Sequence, residues 1–267
     1  MLSLALLCAV AIAEEPTFVG TEKPPEAVTE VAEVDLSAEL GGTFATGNAM
    51  YYVLNGALKG SYKKELNKIG LIAGVAMGSA VADADGSGSI SEEERAAGFA
   101  LNARRFAADV RYDRFFGEHN SLYVLAGAYQ DPFAGYDLRS HEQVGYSRLL
   151  VNNDKTSLTT ELGADFAQEN YVDGVDPDHA NVLAARVLVG FTHKFNETTA
   201  LTDTAETYVN VLDPSDTRVL NAAALSTALS SKFSLKLSHT LTFDHQPVEG
   251  FQPLDQSTMV TLVASIL

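Results

Sequence analysis

Hydrophobic and polar residues alternate along most of the chain, and the alternation has the two-residue period of a β-strand. Between Phe233 and Phe243, leucines share one face with the two phenylalanines, whereas Ser, Thr and Lys occupy most of the other face. The segments 156–168 and 181–195 repeat this arrangement. A helix would place its apolar residues three and four positions apart, so the pattern predicts strands with one apolar face.

The chain contains roughly twelve segments of this kind. Their bounds are 35–46, 49–62, 67–81, 100–116, 121–131, 136–151, 156–168, 181–195, 200–211, 217–230, 233–244 and 256–267. Short polar connections alternate with connections that are generally longer. Long strands joined in this way are typical of outer-membrane barrels, whose longer loops face outside. We therefore predict an all-β fold, an antiparallel transmembrane β-barrel of about 12 strands.

A soluble β-sandwich or lipocalin-like barrel is the main alternative fold. In such a protein the apolar face of each strand points inward and the outer face is charged. Three features favour the membrane barrel instead. The predicted strands exceed the usual length of about 5–6 residues. Their polar faces mix Gly, Ser and Thr with charges of both signs, and the chain ends on a strand, Thr258–Leu267.

The first residues have the pattern of a secretory signal peptide. Leu2–Ala13 is almost wholly apolar and ends in Ala11-Ile12-Ala13, a small-x-small cleavage pattern. We predict a signal peptide over residues 1–13, an acidic, Pro-rich periplasmic leader over 14–33, and the barrel over 34–267. The one cysteine, Cys8, lies in the predicted signal peptide, so neither a disulfide framework nor a four-cysteine zinc site is expected.

The charge balance bears on partners and on the barrel interior. Asp and Glu number 35 against 18 Lys and Arg, a net charge of −17, which argues against a nucleic-acid partner. Charges of both signs on the polar strand faces predict ion pairs that fill the lumen. We favour such a plugged interior over an open channel. The residues expected to face the lumen are Arg105, Asp109, Arg111, Asp113, Arg139, Glu161, Asp165, Arg186, Lys194 and Lys236.

The segment Asp83–Glu94 has the residue order of the twelve-residue EF-hand calcium loop. Acidic or hydroxyl side chains occupy positions one, three, five, nine and twelve, and position seven supplies a backbone carbonyl. Gly88 stands at position six, where a sharp turn is needed, and residues 92–97 favour a short exit helix. The preceding segment reads as a strand, so the entry helix of an EF-hand is missing. The predicted calcium ligands are Asp83, Asp85, Ser87, Ser89, Ser91 and Glu94.

No other segment carries a comparable pattern. The acidic stretch Glu169–His179 lacks EF-hand spacing and is predicted to be a solvated loop. A lipid hydrolase would need Ser, His and a carboxylate or amide on one face. In Ser140-His141 and Ser238-His239 the neighbouring side chains point to opposite faces of a strand, so neither pair forms a site. We therefore do not expect an enzyme.

Several short motifs, in order along the chain, resemble the YdiY-like salt-induced outer membrane protein family (domain of unknown function 481). They are Glu39–Asn48, Tyr112–Phe116, Gly145-Tyr146, Leu162–Ala164 and Leu254-Asp255. The resemblance implies a bacterial outer-membrane barrel and no established biochemical activity. Two departures are Leu267, where such barrels usually end on an aromatic residue, and the absence of Trp.

The sequence therefore predicts a bacterial outer-membrane barrel with a structural or surface-binding role, whose partners are membrane lipid and calcium. A small-solute or ion channel is the first alternative. A barrel hydrolase and a soluble exported β-protein are less favoured.

Overall fold

The structure is a computed structural model that describes residues 32–46, 50–87, 89–117 and 119–266. It contains twelve strands and one short α-helix, α1 (Glu92–Ala97). The strands are β1 (Glu33–Ala45), β2 (Tyr51–Lys64), β3 (Asn67–Ala80), β4 (Ala100–Phe115), β5 (Asn120–Asp131), β6 (Tyr136–Asn152), β7 (Thr156–Tyr171), β8 (His179–Lys194), β9 (Thr199–Asn210), β10 (Thr217–Ala228), β11 (Phe233–Asp244) and β12 (Leu254–Ser265). The predicted signal peptide and nearly all of the predicted leader lie outside the described residues.

The twelve strands form one closed barrel in which every strand pairs with its neighbours in sequence. Closure joins β1 to β12 in antiparallel register, with Leu40 opposite Leu262. The longer connections between strands all lie at one end of the barrel, the long-loop end, and the short ones lie at the other, the short-turn end. This architecture confirms the predicted twelve-stranded antiparallel barrel.

The two faces of the barrel wall differ sharply in polarity. Along β11, Leu235 and Leu237 point outward and are 40% and 47% exposed, whereas Lys236 and Ser238 point into the lumen and are buried. The same alternation recurs in most strands, so the lumen is largely polar and the outer surface is largely apolar. A water-soluble protein has the reverse arrangement. An apolar band around a closed barrel is stable in lipid, because all backbone groups are paired within the wall.

The strand bounds agree with the prediction to within two residues, with one exception. β7 runs on to Tyr171, three residues beyond its predicted end, because Glu169 and Tyr171 continue the inward face. The helix expected after residue 91 is present as α1 and has six residues. Among the residues described, no helix combines the length and the apolar character needed to cross a membrane.

Candidate functional site

The connection between β3 and β4, at the long-loop end, contains the predicted calcium loop. Its second half is fixed by a capping box at the start of α1. Ser91 Oγ accepts a hydrogen bond from Glu94 N at 3.2 Å, and Ser91 N donates to Glu94 Oε2 at 2.9 Å. This reciprocal pair satisfies two backbone groups and holds the Glu94 side chain folded back over the loop. Ile90 is buried, as expected for the position that packs inward.

Three carboxylates converge inside this loop. One oxygen each from Asp83, Asp85 and Glu94 lies within 4.8 Å of the others. Glu94 closes the loop onto its own beginning, because its Oε1 accepts hydrogen bonds from Ala84 N at 2.6 Å and from Asp85 N at 3.3 Å. Positions one, three and twelve of the predicted calcium loop are therefore adjacent in space.

The serines in the loop complete an oxygen-rich turn. Ser87 N donates to Asp83 Oδ1 at 3.0 Å and to Asp85 Oδ1 at 2.9 Å. The Ser87 hydroxyl donates to the carbonyl oxygen of Ser89 at 2.9 Å, which places two more predicted oxygens side by side. Gly86 lies in this turn with a φ of +66°, a left-handed backbone conformation that glycine adopts without steric strain. Gly88, the predicted turn position, lies outside the described residues.

Hydrogen bonds within the loop lower the pKa of two of its carboxyl groups. Hydrogen bonds donated by the backbone and side chain of Ser91 are the main reason why the pKa of Glu94 lies below its ordinary value. Hydrogen bonds from Ser87 lower the pKa of Asp85 in the same way. Both groups are therefore charged at neutral pH. All the converging donors are oxygens, which is the donor set that a hard divalent cation such as calcium prefers.

The second acidic stretch is arranged differently. Glu169 was predicted to lie in a solvated loop, and this is wrong: it belongs to β7, points into the lumen and is 1% exposed. The remaining acids, Asp173, Asp176 and Asp178, do not converge on a common point among the described residues. Asp178 instead contacts His179, with Oδ1 2.7 Å from Nδ1.

A charged network fills the lumen between β4 and β9. Glu161 lies at its centre and accepts hydrogen bonds from Arg111 Nη2 at 2.7 Å and from Arg186 Nη1 at 2.8 Å. Each guanidinium also contacts a second carboxylate: Asp113 Oδ1 lies 2.8 Å from Arg111 Nη2, and Arg186 Nε donates to Glu206. Such pairing is what allows full charges to be buried.

Tyr123 fits into this network because two glycines face it. The Arg111 guanidinium stacks on the Tyr123 ring, 4.0 Å from its centroid, and Arg186 Nη1 donates to the phenol oxygen at 2.6 Å. A Cβ placed on Gly145 or Gly163 would lie 2.5 Å or 2.6 Å from that oxygen. Only glycine leaves room for the ring at these two wall positions.

A second group of ion pairs lies nearer the long-loop end. Glu169 accepts a hydrogen bond from Arg139 Nε at 3.0 Å and another from Arg218. Arg218 Nε also lies 3.1 Å from Asp244 Oδ2. These contacts link β6, β7, β10 and β11, so they tie together opposite parts of the wall.

The predicted lumen set is placed correctly by the structure, and nine of its ten members are at least half-buried by neighbours. Lys194 is the exception, since it ends β8 and is exposed at the short-turn end. The prediction missed Glu169, Glu206 and Arg218. Glu206 and Arg218 lie within the predicted strand segments, and their positions on the inward face could have identified them, whereas Glu169 lies beyond the predicted end of its segment.

The two Ser-His pairs separate as strand geometry requires. His141 faces the lumen between two carboxylates, with Nε2 3.0 Å from Asp109 Oδ1 and Nδ1 3.4 Å from Asp165 Oδ1. His239 points outward from β11 and contacts Thr258, with Nδ1 2.9 Å from Oγ1. Neither imidazole contacts the serine that precedes it among the described hydrogen bonds.

The connection between β11 and β12, residues 245–253, folds over the mouth at the long-loop end and is called the lid below. Val248 and Phe251 of the lid pack against Tyr129 on the opposite wall. A Cβ on Gly135 would lie 2.9 Å from Val248 and 3.0 Å from Phe251, so the lid rests directly on the backbone there. The lid therefore spans the mouth of the barrel from β11 to the connection between β5 and β6.

Closed antiparallel pairing, an apolar outer surface and a charged interior define a transmembrane β-barrel. Among solved structures, the NanC porin has the same fold: it matches with a TM-score of 0.51 at 12% sequence identity, over 87% of this chain and 100% of the porin.

The family described as "Protein of unknown function, DUF481" matches residues 38–266, and the chain belongs to that family. The "Uncharacterized protein YdiY" of Escherichia coli (strain K12) is 25% identical over 179 residues. That match covers 66% of this chain and 65% of the relative, so it spans less than two thirds of the relative's length. The resemblance suggested by the sequence motifs is thereby confirmed at the level of the family.

Proposed function

We propose that this protein is a bacterial outer-membrane barrel with a structural or surface-binding role, and that its loop Asp83–Glu94 binds calcium on the outer side of the membrane. Family membership, the apolar outer surface and the predicted signal peptide support this location. In barrels of this class the short turns face the periplasm, so the long-loop end faces outside.

The lumen supports a structural role over conduction. A passage for solutes needs a water-filled path, whereas here Arg111, Glu161 and Arg186 have fully buried side chains. The lid covers the mouth above them. The outer loops are then the part of the molecule available to the surroundings.

The convergence of Asp83, Asp85 and Glu94 carries the calcium proposal. Because these residues are separated by up to eleven positions in sequence, their approach to within 4.8 Å reflects the fold of the loop. Asp83, Asp85 and Glu94 would supply charged oxygens to the ion, Ser87 its hydroxyl and Ser89 its carbonyl, and Ser91 would hold a water. Calcium would offset two of the three negative charges and tie the start of the loop to α1.

We expect weak affinity, a dissociation constant of roughly 10⁻⁴–10⁻³ M, as in extracellular calcium modules. The loop has no entry helix, since β3 precedes it, and no second EF-hand is paired with it among the described residues. Such a site suits the calcium concentrations outside a cell.

Calorimetry on the refolded barrel tests this proposal. We expect one main calcium site, which Asp83→Ala or Glu94→Gln removes by deleting a charged ligand. Glu92→Gln is the matched control, because Glu92 is an exposed acid in the first turn of α1 and is outside the ligand set. Unchanged binding in both ligand variants, or no binding by the wild type at about 10 mM calcium, well above the weak limit, contradicts the proposal.

A further inference from the structure

A cavity of about 170 Å³ lies at the long-loop end of the barrel. It is lined by the lid, by the β7–β8 connection (residues 172–178) and by the ends of β6, β7 and β10. Tyr136, Tyr171 and Val248 form part of its apolar wall. Four polar residues complete the lining: Asp176, Arg218, Gln246 and Glu249. Largely apolar walls with a few polar groups are typical of small-molecule binding sites.

One hydroxyl group of the cavity wall lacks a partner among the described residues. Tyr136 is 7% exposed, and its ring packs against Tyr129 and Tyr171, with centroids 5.6 Å and 5.9 Å away. The hydroxyl of Tyr171 donates to Glu169 Oε2 at 2.8 Å, whereas that of Tyr136 makes no hydrogen bond with any residue that the structure describes. Burying a hydroxyl is costly unless it is hydrogen-bonded. Because Tyr136 lines the cavity, a ligand there would supply the missing partner.

The polar part of the wall is held in place by contacts with other parts of the barrel. Gln246 Nε2 donates to Ser215 Oγ at 2.7 Å and to Asp213 Oδ2 at 3.2 Å, which ties the lid to the β9–β10 connection. Arg218 donates to both carboxylate oxygens of Glu169 with two of its N–H groups. The cavity is therefore preformed, which lowers the entropic cost of binding a ligand.

The size and the charge of the lining select the class of ligand. A cavity of about 170 Å³ holds roughly a dozen water-sized groups, at about 10–15 Å³ for each, and a hexose is of this size. Asp176 and Glu249 repel an anion, and Arg218 repels a cation. A neutral sugar is compatible with both charges, because each hydroxyl can donate to a carboxylate and accept from a guanidinium or a phenol. The C–H groups of the sugar would pack on the tyrosine rings.

We propose that this cavity binds a neutral hexose unit, either a free sugar or the end of a surface glycan. The proposal gives a ligand class to the surface-binding role, and it rests on the outward placement of the long-loop end. The affinity should be modest, with a dissociation constant on the order of 1 mM, because so small a ligand makes few contacts.

Saturation-transfer NMR on the refolded full chain, in a detergent without a sugar head group, tests the proposal. The probes are glucose, galactose and mannose, and dextran, galactan and mannan represent glycans. We expect at least one free hexose to bind. Tyr136→Phe should raise its dissociation constant about fivefold, because one hydrogen bond is lost. Tyr62→Phe is the matched control, since it removes an exposed phenol hydroxyl near the short-turn end, and its affinity should be unchanged.

Charged analogues test the ligand class. The uronic acid and the amino sugar of the best-binding hexose should each bind at least about fivefold more weakly than the hexose, because each places a charge beside a like charge of the lining. Binding of the matching polysaccharide identifies a glycan as the source, and its exclusion identifies a free sugar. No binding of any free hexose or polysaccharide at about 20 mM hexose, well above the expected constant, overturns the proposal. Equal effects of Tyr136→Phe and Tyr62→Phe, or tighter binding of either charged analogue, also overturns it.

The sugar test can fail independently of the proposed function. Binding in detergent does not depend on which side of the membrane the loops face, and removal of calcium with a chelator should leave it unchanged. Heat-modifiable migration shows that each variant has folded, which separates a failed site from a failed barrel.

Discussion

Replacing Glu161 by Ala should lower the free energy of unfolding of the barrel by about 3 kcal/mol, the lower end of the range for breaking a buried ion pair. The substitution leaves the guanidinium groups of Arg111 and Arg186 in the lumen without the carboxylate that joins them, and both side chains are fully buried. Each keeps one other carboxylate, Asp113 or Glu206, which is why the upper end of the range is not expected. The change in unfolding free energy is measured by urea titration in lipid vesicles. The fraction of folded barrel at each urea concentration is read from its shifted migration on a gel.

Asp35→Asn is the control for this prediction. Asp35 also faces inward, but it is exposed near the short-turn end and accepts only a hydrogen bond from Ser61 Oγ at 3.3 Å among its described contacts. Its replacement should change the unfolding free energy by less than about 0.5 kcal/mol. Equal effects of Glu161→Ala and Asp35→Asn would show that the central network contributes no special stability.

Replacing Leu58 by Arg should destabilise the barrel in lipid by about 2–4 kcal/mol, because a guanidinium would face the hydrocarbon near mid-bilayer. Leu58 lies in the middle of β2, faces outward and is 40% exposed on the apolar surface. The same vesicle titration gives the free energy, and the yield of refolded barrel gives an independent reading.

Ala57→Arg, one residue away, provides the matched control. Ala57 points into the lumen and lines a cavity of about 100 Å³ together with Glu39 and Asp109. Arginine there has space and polar neighbours, so its cost should be less than about 1 kcal/mol, the usual size for a tolerated substitution. A larger penalty at Ala57 than at Leu58 would mean that the faces of β2 are assigned the wrong way round.

The sequence was sufficient to predict the strands and their faces. A two-residue period survives in each strand because one face meets lipid and the other meets charged groups, as in β11 with Leu237 outside and Lys236 inside. The end of β7 was missed because Glu169 reads as the start of an acidic loop. Its inclusion in the strand depends on Arg139 and Arg218, which come from distant parts of the chain.

Other features required the three-dimensional register of the strands. The fit of Tyr123 over Gly145 and Gly163 depends on β5, β6 and β7 lying side by side in one alignment. The lid reaches across the mouth to Gly135, and nothing in the sequence of residues 245–253 indicates that partner.

The calcium loop could be predicted from the sequence only in part. Its ligand types and spacing are local, so the order from Asp83 to Glu94 predicted the site. The capping box that folds Glu94 back onto Ala84 was not anticipated, although Ser91 and Glu94 have the spacing of that motif. Local hydrogen bonds of this kind can be predicted from the sequence once the first residue of the helix has been identified.

Protection of Arg95 from trypsin on intact cells tests most directly whether the loop lies outside and is ordered by calcium. Arg95 lies in α1, is exposed and follows the proposed ligand Glu94. Without calcium we expect rapid cleavage after Arg95, and with about 5 mM calcium, above the weak limit, we expect cleavage to slow at least about tenfold. The Asp83→Ala variant should be cleaved rapidly in both conditions, which excludes an effect of calcium on the protease. No cleavage on intact cells, with cleavage after the outer membrane is opened, would contradict the outward placement of the loop, and equal cleavage of the wild type with and without calcium would contradict its ordering by calcium.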